Sequence, residues 1–180
     1  MTPSIIEDNF FRNPLSVRLK GLTYEYYDRI LHPDPTAINA FPGVRSLDIH
    51  DTDIKLYNYV RNKIAKVLKK NNISKKINPN KDGFRLHFSL TFEDTPYRFH
   101  QDIEYDEESI SYAGIIYLNL FPKPKCGTTI LLHNEFYEIE NNFNRMVLYP
   151  CHIFHSLSGS FGNNLLNSRM VMSIFMNLID

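Results

Sequence analysis

The 180-residue chain lacks tryptophan, has only two cysteines and carries no excess of either charge. Cys126 and Cys151 lie far apart and form no Cys-x-x-Cys motif, which indicates reduced thiols in a cytoplasmic protein rather than a disulfide framework. Lysine and arginine together number 20, as do aspartate and glutamate, so the chain has no basic surplus. This balance argues against a nucleic-acid partner, which requires a basic surface.

Long apolar runs and several targeting or catalytic motifs are also missing. No segment approaches the roughly 18 consecutive apolar residues that a membrane span needs. The N-terminal residues show no basic segment followed by an apolar run, so we expect no signal peptide. The nucleophile motif Gly-x-Ser-x-Gly is absent as well, which argues against a serine hydrolase of that type.

The chain is instead rich in aromatic bulk, with 13 phenylalanines and 11 tyrosines. Its length and its hydrophobic content of 43% predict one domain over residues 1–180 with a substantial core. Prolines keep the helices of the first 50 residues short. Over residues 54–70, apolar side chains recur at helical spacing behind the N-cap candidate Asp53, which predicts the clearest helix. We interpret residues 1–83 as helical and irregular support, and residues 84–180 as the core.

The core begins where the apolar period changes from helical spacing to alternation. Residues 84–92 alternate apolar and polar side chains, which predicts a half-buried strand. The acidic segment 103–110 is predicted to be a loop. Short strands joined by turns, without intervening helices, are typical of an antiparallel sandwich or barrel. Further strands are predicted over residues 112–120, 128–132, 145–149 and 169–177.

Three histidines are followed two residues later by a carboxylate, where chance alone predicts about one such pair. His32-Pro33-Asp34 lies in a proline-rich loop and indicates a local turn. His133-Asn134-Glu135 ends a strand and opens a hairpin turn. His100-Gln101-Asp102 follows a strand and a turn. In extended chain, residues two apart point to the same face, so this last pair can enter one cavity and bind one metal ion.

A third ligand should come from a distant strand, and the segment 149–155 offers two histidines. His155 follows the 145–149 strand after a short turn, as a residue starting the next strand would. We favour it over His152, which falls in that turn. Two histidines and one carboxylate on one face form the facial triad of non-haem Fe(II) oxygenases. The open metal positions of such a triad accept a co-substrate and O₂.

Arg169 begins the otherwise apolar last strand. An arginine in such a strand is costly to bury without an anion. A dicarboxylate that chelates iron at one end would present its other carboxylate to this residue, and the planar guanidinium fork suits that contact. A surface arginine after an Asn-rich loop is the alternative interpretation.

Residues 84–177 resemble the 2-oxoglutarate- and Fe(II)-dependent oxygenases with a double-stranded β-helix core. Order and spacing are similar to the prolyl-hydroxylase-type branch. This resemblance implies a mainly β fold with flanking helices around a jelly-roll or cupin-like core. The stretch 41–46 also resembles the N-terminal region of an uncharacterised bacterial and phage family in the same superfamily. The matching pieces are Phe99-His100-Gln101-Asp102, Ile116-Tyr117-Leu118-Asn119, Gly127-Thr128-Thr129, Leu148-Tyr149-Pro150, His155 and Arg169.

The resemblance implies that His100, Asp102 and His155 bind Fe(II). It makes Arg169 the partner of the 2-oxoglutarate C5 carboxylate, and Tyr117 a second donor to that carboxylate. The implied reaction couples the conversion of 2-oxoglutarate and O₂ to succinate and CO₂ with hydroxylation of a protein residue, a peptide or a small molecule. The implied location is the cytoplasm, which would be that of a bacterial host if the chain is phage-encoded.

Two departures from the family pattern are visible. Cys126-Gly127-Thr128 stands where Gly-Gly-Thr is usual, and His155 and Arg169 are fourteen positions apart, which is longer than in many members. Two other classes of protein therefore remain open. One is a metal-binding cupin-like protein that is not an oxygenase and does not require Arg169. The other is a phage structural or binding jelly roll with incidental histidines. The sequence leaves the substrate and the oligomeric state undetermined.

Overall fold

The computed structural model describes residues 4–33, 41–102 and 112–180. The acidic loop predicted over 103–110 therefore lies outside the described residues, as does Asp34 of the first His-x-Asp pair. Three helices, none of which has the length and apolarity of a membrane span, occur within the described ranges. They are α1 (Pro14–Gly21), α2 (Ile49–Thr52) and α3 (Ile54–Lys70), and a short 3-10 helix follows at Lys81–Gly83.

Twelve strands complete the described part of the chain. In chain order they are β1 (Ile5–Glu7), β2 (Tyr27–Asp28), β3 (Val44–Arg45), β4 (Lys76–Ile77), β5 (Phe84–Thr91), β6 (Tyr112–Tyr117), β7 (Thr128–Leu132), β8 (Glu135–Ile139), β9 (Met146–Pro150), β10 (His155–Leu157), β11 (Arg169–Met176) and β12 (Leu178–Ile179).

The strands form two facing antiparallel sheets and one small ribbon. The major sheet has the strand order β1-β9-β6-β11-β5-β3-β2, and the minor sheet has the order β10-β7-β8. Strands β12 and β4 make the ribbon. Strand β11 pairs with both β5 and β6, which places it at the centre of the major sheet. The short strands β1, β2 and β3 from the first 83 residues extend the two edges of that sheet.

Helix α3 forms where the apolar spacing predicts it, and Asp53 caps it by accepting a hydrogen bond from the backbone N–H of Leu56. Its apolar side packs against the outer face of the major sheet, where the Tyr57 hydroxyl donates to the Phe84 carbonyl at 2.8 Å. Each fully buried aliphatic or aromatic side chain contributes roughly 1.5–3 kcal/mol, so this face attaches the helix to the sheet. The buried helix residues are Tyr57, Val60, Ile64, Val67 and Leu68.

The opposite face of the major sheet points towards the minor sheet and is called the inner face below. A second hydrophobic cluster fills the space between the two sheets. Strands β6, β9 and β11 contribute to it from the major sheet, and β7 and β8 contribute from the minor sheet. Its buried members are Ala113, Tyr117, Ile130, Ile139, Val147, Tyr149, Ile153 and Val171.

Strand β5 differs from the sequence-based expectation of a half-buried strand. Three of the four residues on its polar side, His87, Ser89 and Thr91, are buried, and Arg85 is partly buried. Because the inner face is enclosed, these groups find internal partners: the Ser89 hydroxyl lies 2.8 Å from that of Ser173. The strand predicted over 112–120 is also shorter, since β6 ends at Tyr117.

Candidate metal centre

A pair of reciprocal backbone hydrogen bonds joins the His100 segment to the start of β10. The His100 N–H donates to the His155 carbonyl at 3.0 Å, and the His155 N–H donates to the His100 carbonyl at 2.9 Å. The Asp102 N–H donates to the Cys151 carbonyl at 3.0 Å. This antiparallel bridge fixes the relative positions of two segments that are distant in the sequence.

The bridge brings together the side chains of His100, Asp102 and His155. The His155 Nε2 atom lies 3.2 Å from Asp102 Oδ2, and His100 Nε2 lies 3.6 Å from Asp102 Oδ1. One ligand atom from each residue lies within 4.8 Å of the other two. Donors bound at about 2.1 Å to one ion at right angles stand about 3 Å apart, so this cluster needs only small adjustments to hold a divalent cation.

Backbone carbonyls determine which nitrogen of each imidazole faces the cluster. His100 Nδ1 donates to the Arg98 carbonyl at 3.1 Å, and His155 Nδ1 donates to the Ile153 carbonyl at 3.0 Å. Since a carbonyl only accepts, Nδ1 of each ring carries a hydrogen, and Nε2 is the nitrogen that faces the cluster and can bind a metal. Both Nε2 atoms and the Asp102 carboxylate thus converge on one point. This donor set fits Fe(II) or another divalent transition metal.

The ionisation states also suit metal binding. Burial raises the pKa of Asp102, but His155 and His100 outweigh it and hold this pKa below its ordinary value. Burial lowers the pKa of His100, and the neighbouring His155 lowers it further. At neutral pH the carboxylate is ionised and the His100 imidazole is uncharged. A metal ion therefore does not have to displace a proton from either group.

The other histidines singled out in the sequence lie away from this cluster. The His152 side chain is exposed, and its carbonyl accepts a hydrogen bond from the Gln101 side chain. His133 and Asn134 adopt positive φ angles of 51° and 65° and form the exposed turn of the predicted β7–β8 hairpin. His32 Nε2 lies 3.4 Å from the Ser46 carbonyl. Among the described residues, only His100, Asp102 and His155 form a group suited to a metal.

Arg169 is buried at the start of β11, with 1% of its surface exposed. Its Nε–H donates to the Cys126 carbonyl at 3.0 Å, and its Nη2 group donates to the Gly127 carbonyl at 3.1 Å. A Cβ atom at Gly127 would lie 1.9 Å from the Ile139 carbonyl oxygen, so this position requires glycine. Gly127 therefore lets its segment lie close to Ile139 at the end of β8. In this position the Cys126 and Gly127 carbonyls hold the guanidinium.

A tyrosine and a threonine lie beside this arginine. The Tyr117 ring centroid is 5.5 Å from the guanidinium carbon of Arg169. The Tyr117 hydroxyl donates to Thr128 Oγ1 at 2.8 Å, which leaves the threonine hydroxyl hydrogen available to an incoming acceptor. Among the described residues, no aspartate or glutamate forms an ion pair with Arg169. A buried, protonated guanidinium of this kind fits a carboxylate ligand.

Sequence reasoning missed two side chains next to these groups. Thr128 belongs to a turn motif in the sequence, which gives no sign that it meets Tyr117. The Tyr149 ring lies 4.4 Å from the His155 ring, and burial raises its pKa well above the ordinary value. Its alternation with Val147 on one strand could have indicated an inward direction. Arg98 and Ile153 act through backbone carbonyls, for which side-chain patterns give no signal.

His87 lies on the inner face and makes the stability of the folded protein depend on pH. Its Nδ1 donates to the Ser46 carbonyl at 3.1 Å. Burial, together with the positive charge of Arg45, lowers the pKa of His87 to about 3. In the unfolded chain the same group titrates near 6.5. Between these two pH values the unfolded state binds a proton that the folded state does not, so stability falls as the pH is lowered.

We expect this histidine to add a slope of about 1 kcal/mol per pH unit to the free energy of unfolding between roughly pH 6 and pH 4. Urea denaturation at a series of pH values measures the slope for the wild type and for His87→Gln, whose amide retains a donor for the Ser46 carbonyl. The slope of the variant should be smaller by that amount. Equal slopes for the two proteins would show that His87 is protonated in the folded state.

Comparison with known proteins gives the fold its context. No protein-family model and no curated protein sequence matches the chain. Among solved structures, a prolyl-4-hydroxylase from Pseudomonas putida is 14% identical with a TM-score of 0.61, and the alignment covers 99% of this chain and 94% of that one. A prolyl hydroxylase from Trichoplax adhaerens, in complex with a hypoxia-inducible-factor peptide, is 14% identical with a TM-score of 0.69, covering 98% and 84%.

A third similar structure is an oxidoreductase of the 2OG-Fe(II) oxygenase family from Burkholderia pseudomallei, 9% identical with a TM-score of 0.60, covering 96% of this chain and 83% of that one. At such identities the likeness is one of fold. It confirms the predicted fold class, a mainly β protein with a double-stranded β-helix core. It also confirms that the resemblance to the prolyl-hydroxylase-like branch holds at the level of the fold.

Proposed function

We propose that this chain is an Fe(II)- and 2-oxoglutarate-dependent oxygenase that uses His100, Asp102 and His155 as metal ligands. The observation that carries the proposal is the convergence of two Nε2 atoms and one carboxylate, with both Nδ1 atoms committed to backbone carbonyls. The shared fold supports the same interpretation, because three of its solved examples are hydroxylases or oxygenases.

When bound together, Fe(II) and 2-oxoglutarate supply the oxidising chemistry: 2-oxoglutarate and O₂ become succinate and CO₂, and one oxygen atom passes to the substrate. The chain's own part is to hold and orient these reactants. His100, Asp102 and His155 would hold the metal and would leave coordination positions open for the co-substrate and O₂. The Nδ1 hydrogen bonds fix both rings, which preserves the geometry before the metal arrives.

Arg169 would bind the C5 carboxylate of 2-oxoglutarate through its guanidinium, with the hydroxyls of Tyr117 and Thr128 beside it. Because the guanidinium is held by the Cys126 and Gly127 carbonyls, it is already oriented before the ligand binds. The hydrophobic cluster between the sheets excludes water from the same region. A carboxylate bound there makes strong contacts, since the local dielectric is low.

The primary substrate of this oxygenase would be a protein residue, a peptide or a small molecule. The Trichoplax structure contains a peptide, which supports a peptide as one of these choices. The reaction would be a hydroxylation.

Anaerobic titration tests the proposal directly. Adding Fe(II) to the protein in the presence of 2-oxoglutarate should give a weak visible charge-transfer band, because that transition arises only when the keto acid chelates the iron. Fe(II) alone should give no such band. Exposure to air should then yield succinate in proportion to the 2-oxoglutarate consumed.

The variant His152→Ala provides the matched control for this titration, since it removes a neighbouring imidazole that lies outside the cluster. Its band should equal that of the wild type. A metal-binding cupin-like protein would bind Fe(II) without developing a band, and a structural jelly roll would bind neither ligand. Either result would reject the proposed function.

A further inference from the structure

The proposed function leaves a second group of cationic side chains on the inner face unexplained. Arg45 belongs to the stretch 41–46 that stands out in the sequence. Strand β3 pairs with β5 so that Arg45 lies directly opposite Ser89. Opposite residues of an antiparallel pair point to the same face. Since the Ser89 hydroxyl meets Ser173 between the sheets, Arg45 also faces the interior that contains the metal centre.

Two aromatic rings support the Arg45 guanidinium. Its central carbon lies 4.2 Å from the Phe41 ring centroid and 5.2 Å from that of Phe175. Such contacts engage the flat faces of a guanidinium, while its N–H groups lie along the edge. The Arg45 Nε atom is buried, and no hydrogen-bond partner for it occurs among the described residues. The residue as a whole is only partly buried.

A second arginine and a neutral histidine surround this position. Phe175 pairs directly with Arg85, whose guanidinium carbon lies 5.6 Å from the same ring. The positive charge of Arg85 acts on Arg45 and lowers its pKa, although burial is the larger cause. His87, between the two arginines in the sheet, is uncharged at neutral pH and contributes no positive charge of its own. Arg45 and Arg85 are thus the two guanidinium groups that the described residues place around Phe175.

The carboxylate that acts on Arg45 is Asp102, and each of the two groups favours the charged form of the other. In the proposed enzyme, however, Asp102 binds the divalent metal. The charges of the metal, Asp102, Arg169 and the 2-oxoglutarate dianion then cancel one another. Among the described residues, this leaves Arg45 without a compensating anion in a partly enclosed, low-dielectric space, which is unfavourable until an anion enters.

We propose that Arg45 binds an oxyanion of the primary substrate, a carboxylate or phosphate group, with Phe41 and Phe175 as the walls of the subsite. The statement that this oxyanion belongs to the substrate rests on the proposed function. The inference adds that the substrate is acidic. The planar guanidinium can donate paired hydrogen bonds to two oxygens of such a group. The position of the anion next to Asp102 would direct the rest of the substrate towards the metal.

The test uses inorganic phosphate as the probe and metal-free protein carrying Asp102→Asn as the host. Removing the carboxylate removes the internal anion that acts on Arg45, so phosphate should bind more tightly than to the metal-free wild type. Adding Arg45→Met should then weaken phosphate binding about tenfold, as expected for losing a charge-assisted hydrogen bond. Binding is followed by phosphorus NMR line width or by isothermal titration calorimetry.

Two further variants in the same host make the result specific. Arg45→Lys keeps the charge and loses the planar fork, so it should bind with intermediate affinity. Arg12→Met removes an exposed arginine of the N-terminal segment and should leave the affinity unchanged. Methionine at position 45 can still pack between the two phenylalanines, and thermal denaturation checks that each variant is folded.

Equal phosphate affinities with and without Arg45→Met would overturn the proposal and would assign any bound phosphate to another cation, such as Arg169. The measurement needs neither iron nor turnover. A failed Fe(II) titration would therefore reject the oxygenase function without altering this result, while equal phosphate affinities would reject only the acidic-substrate subsite.

Discussion

Replacing Asp102 with asparagine should lower succinate formation at least about a hundredfold, because loss of an anionic ligand weakens metal binding more than loss of its supporting hydrogen bonds does. The two imidazoles would remain in place, held by the Arg98 and Ile153 carbonyls. Two neutral nitrogens and an amide bind Fe(II) poorly. Iron content after anaerobic reconstitution and succinate produced in air measure the two parts of this prediction.

The expected result distinguishes loss of the metal from loss of the fold. The Asp102→Asn substitution hardly changes the side-chain volume, and the backbone N–H at this position would still donate to the Cys151 carbonyl. The variant should therefore still fold, with a lowered thermal midpoint because Arg45 loses the carboxylate that acts on it, while iron binding is lost. His152→Ala serves as the control and should keep succinate formation within about twofold, as is usual for surface substitutions. Full iron binding and turnover by Asp102→Asn would contradict the proposed triad.

Replacing Arg169 with lysine should raise the KM for 2-oxoglutarate by about tenfold or more, because lysine keeps the charge and loses the bidentate fork. Arg169→Met should have a larger effect, since it removes the cation entirely. Fe(II) affinity should remain unchanged in both variants. Steady-state succinate formation at varied 2-oxoglutarate, with iron binding measured separately, checks both statements.

The hydrogen bonds from Arg169 to the Cys126 and Gly127 carbonyls are also what a purely structural arginine would make. A shorter keto acid, 2-oxobutyrate, separates the two roles because it lacks the distal carboxylate. If Arg169 anchors that carboxylate, its replacement raises the KM for 2-oxoglutarate and leaves the KM for 2-oxobutyrate almost unchanged. An equal penalty with both keto acids would place the anchor elsewhere and leave Arg169 as a structural residue.

Local patterns in the sequence predicted the longest helix and most of the longer strands. The helix over 54–70 and the strands near 84–92, 128–132, 145–149 and 169–177 all occur, with small changes at their ends. These segments have strong apolar periodicity, which depends on neighbouring residues alone. The burial of the polar side of β5 could not be predicted in this way. Its polar residues resemble a solvent-facing edge until the second sheet covers them.

For the candidate centre, local sequence was enough to predict that His100 and Asp102 share a face, since this follows from the two-residue period of extended chain. Only the folded chain shows that His155, and not His152, lies next to His100 and Asp102. A reciprocal backbone bridge between distant segments brings His155 there. The tautomers likewise depend on carbonyl groups, which every residue carries and no sequence pattern marks. The same holds for Arg45: its direction depends on the register of β3 against β5, a long-range pairing that local chemistry does not specify.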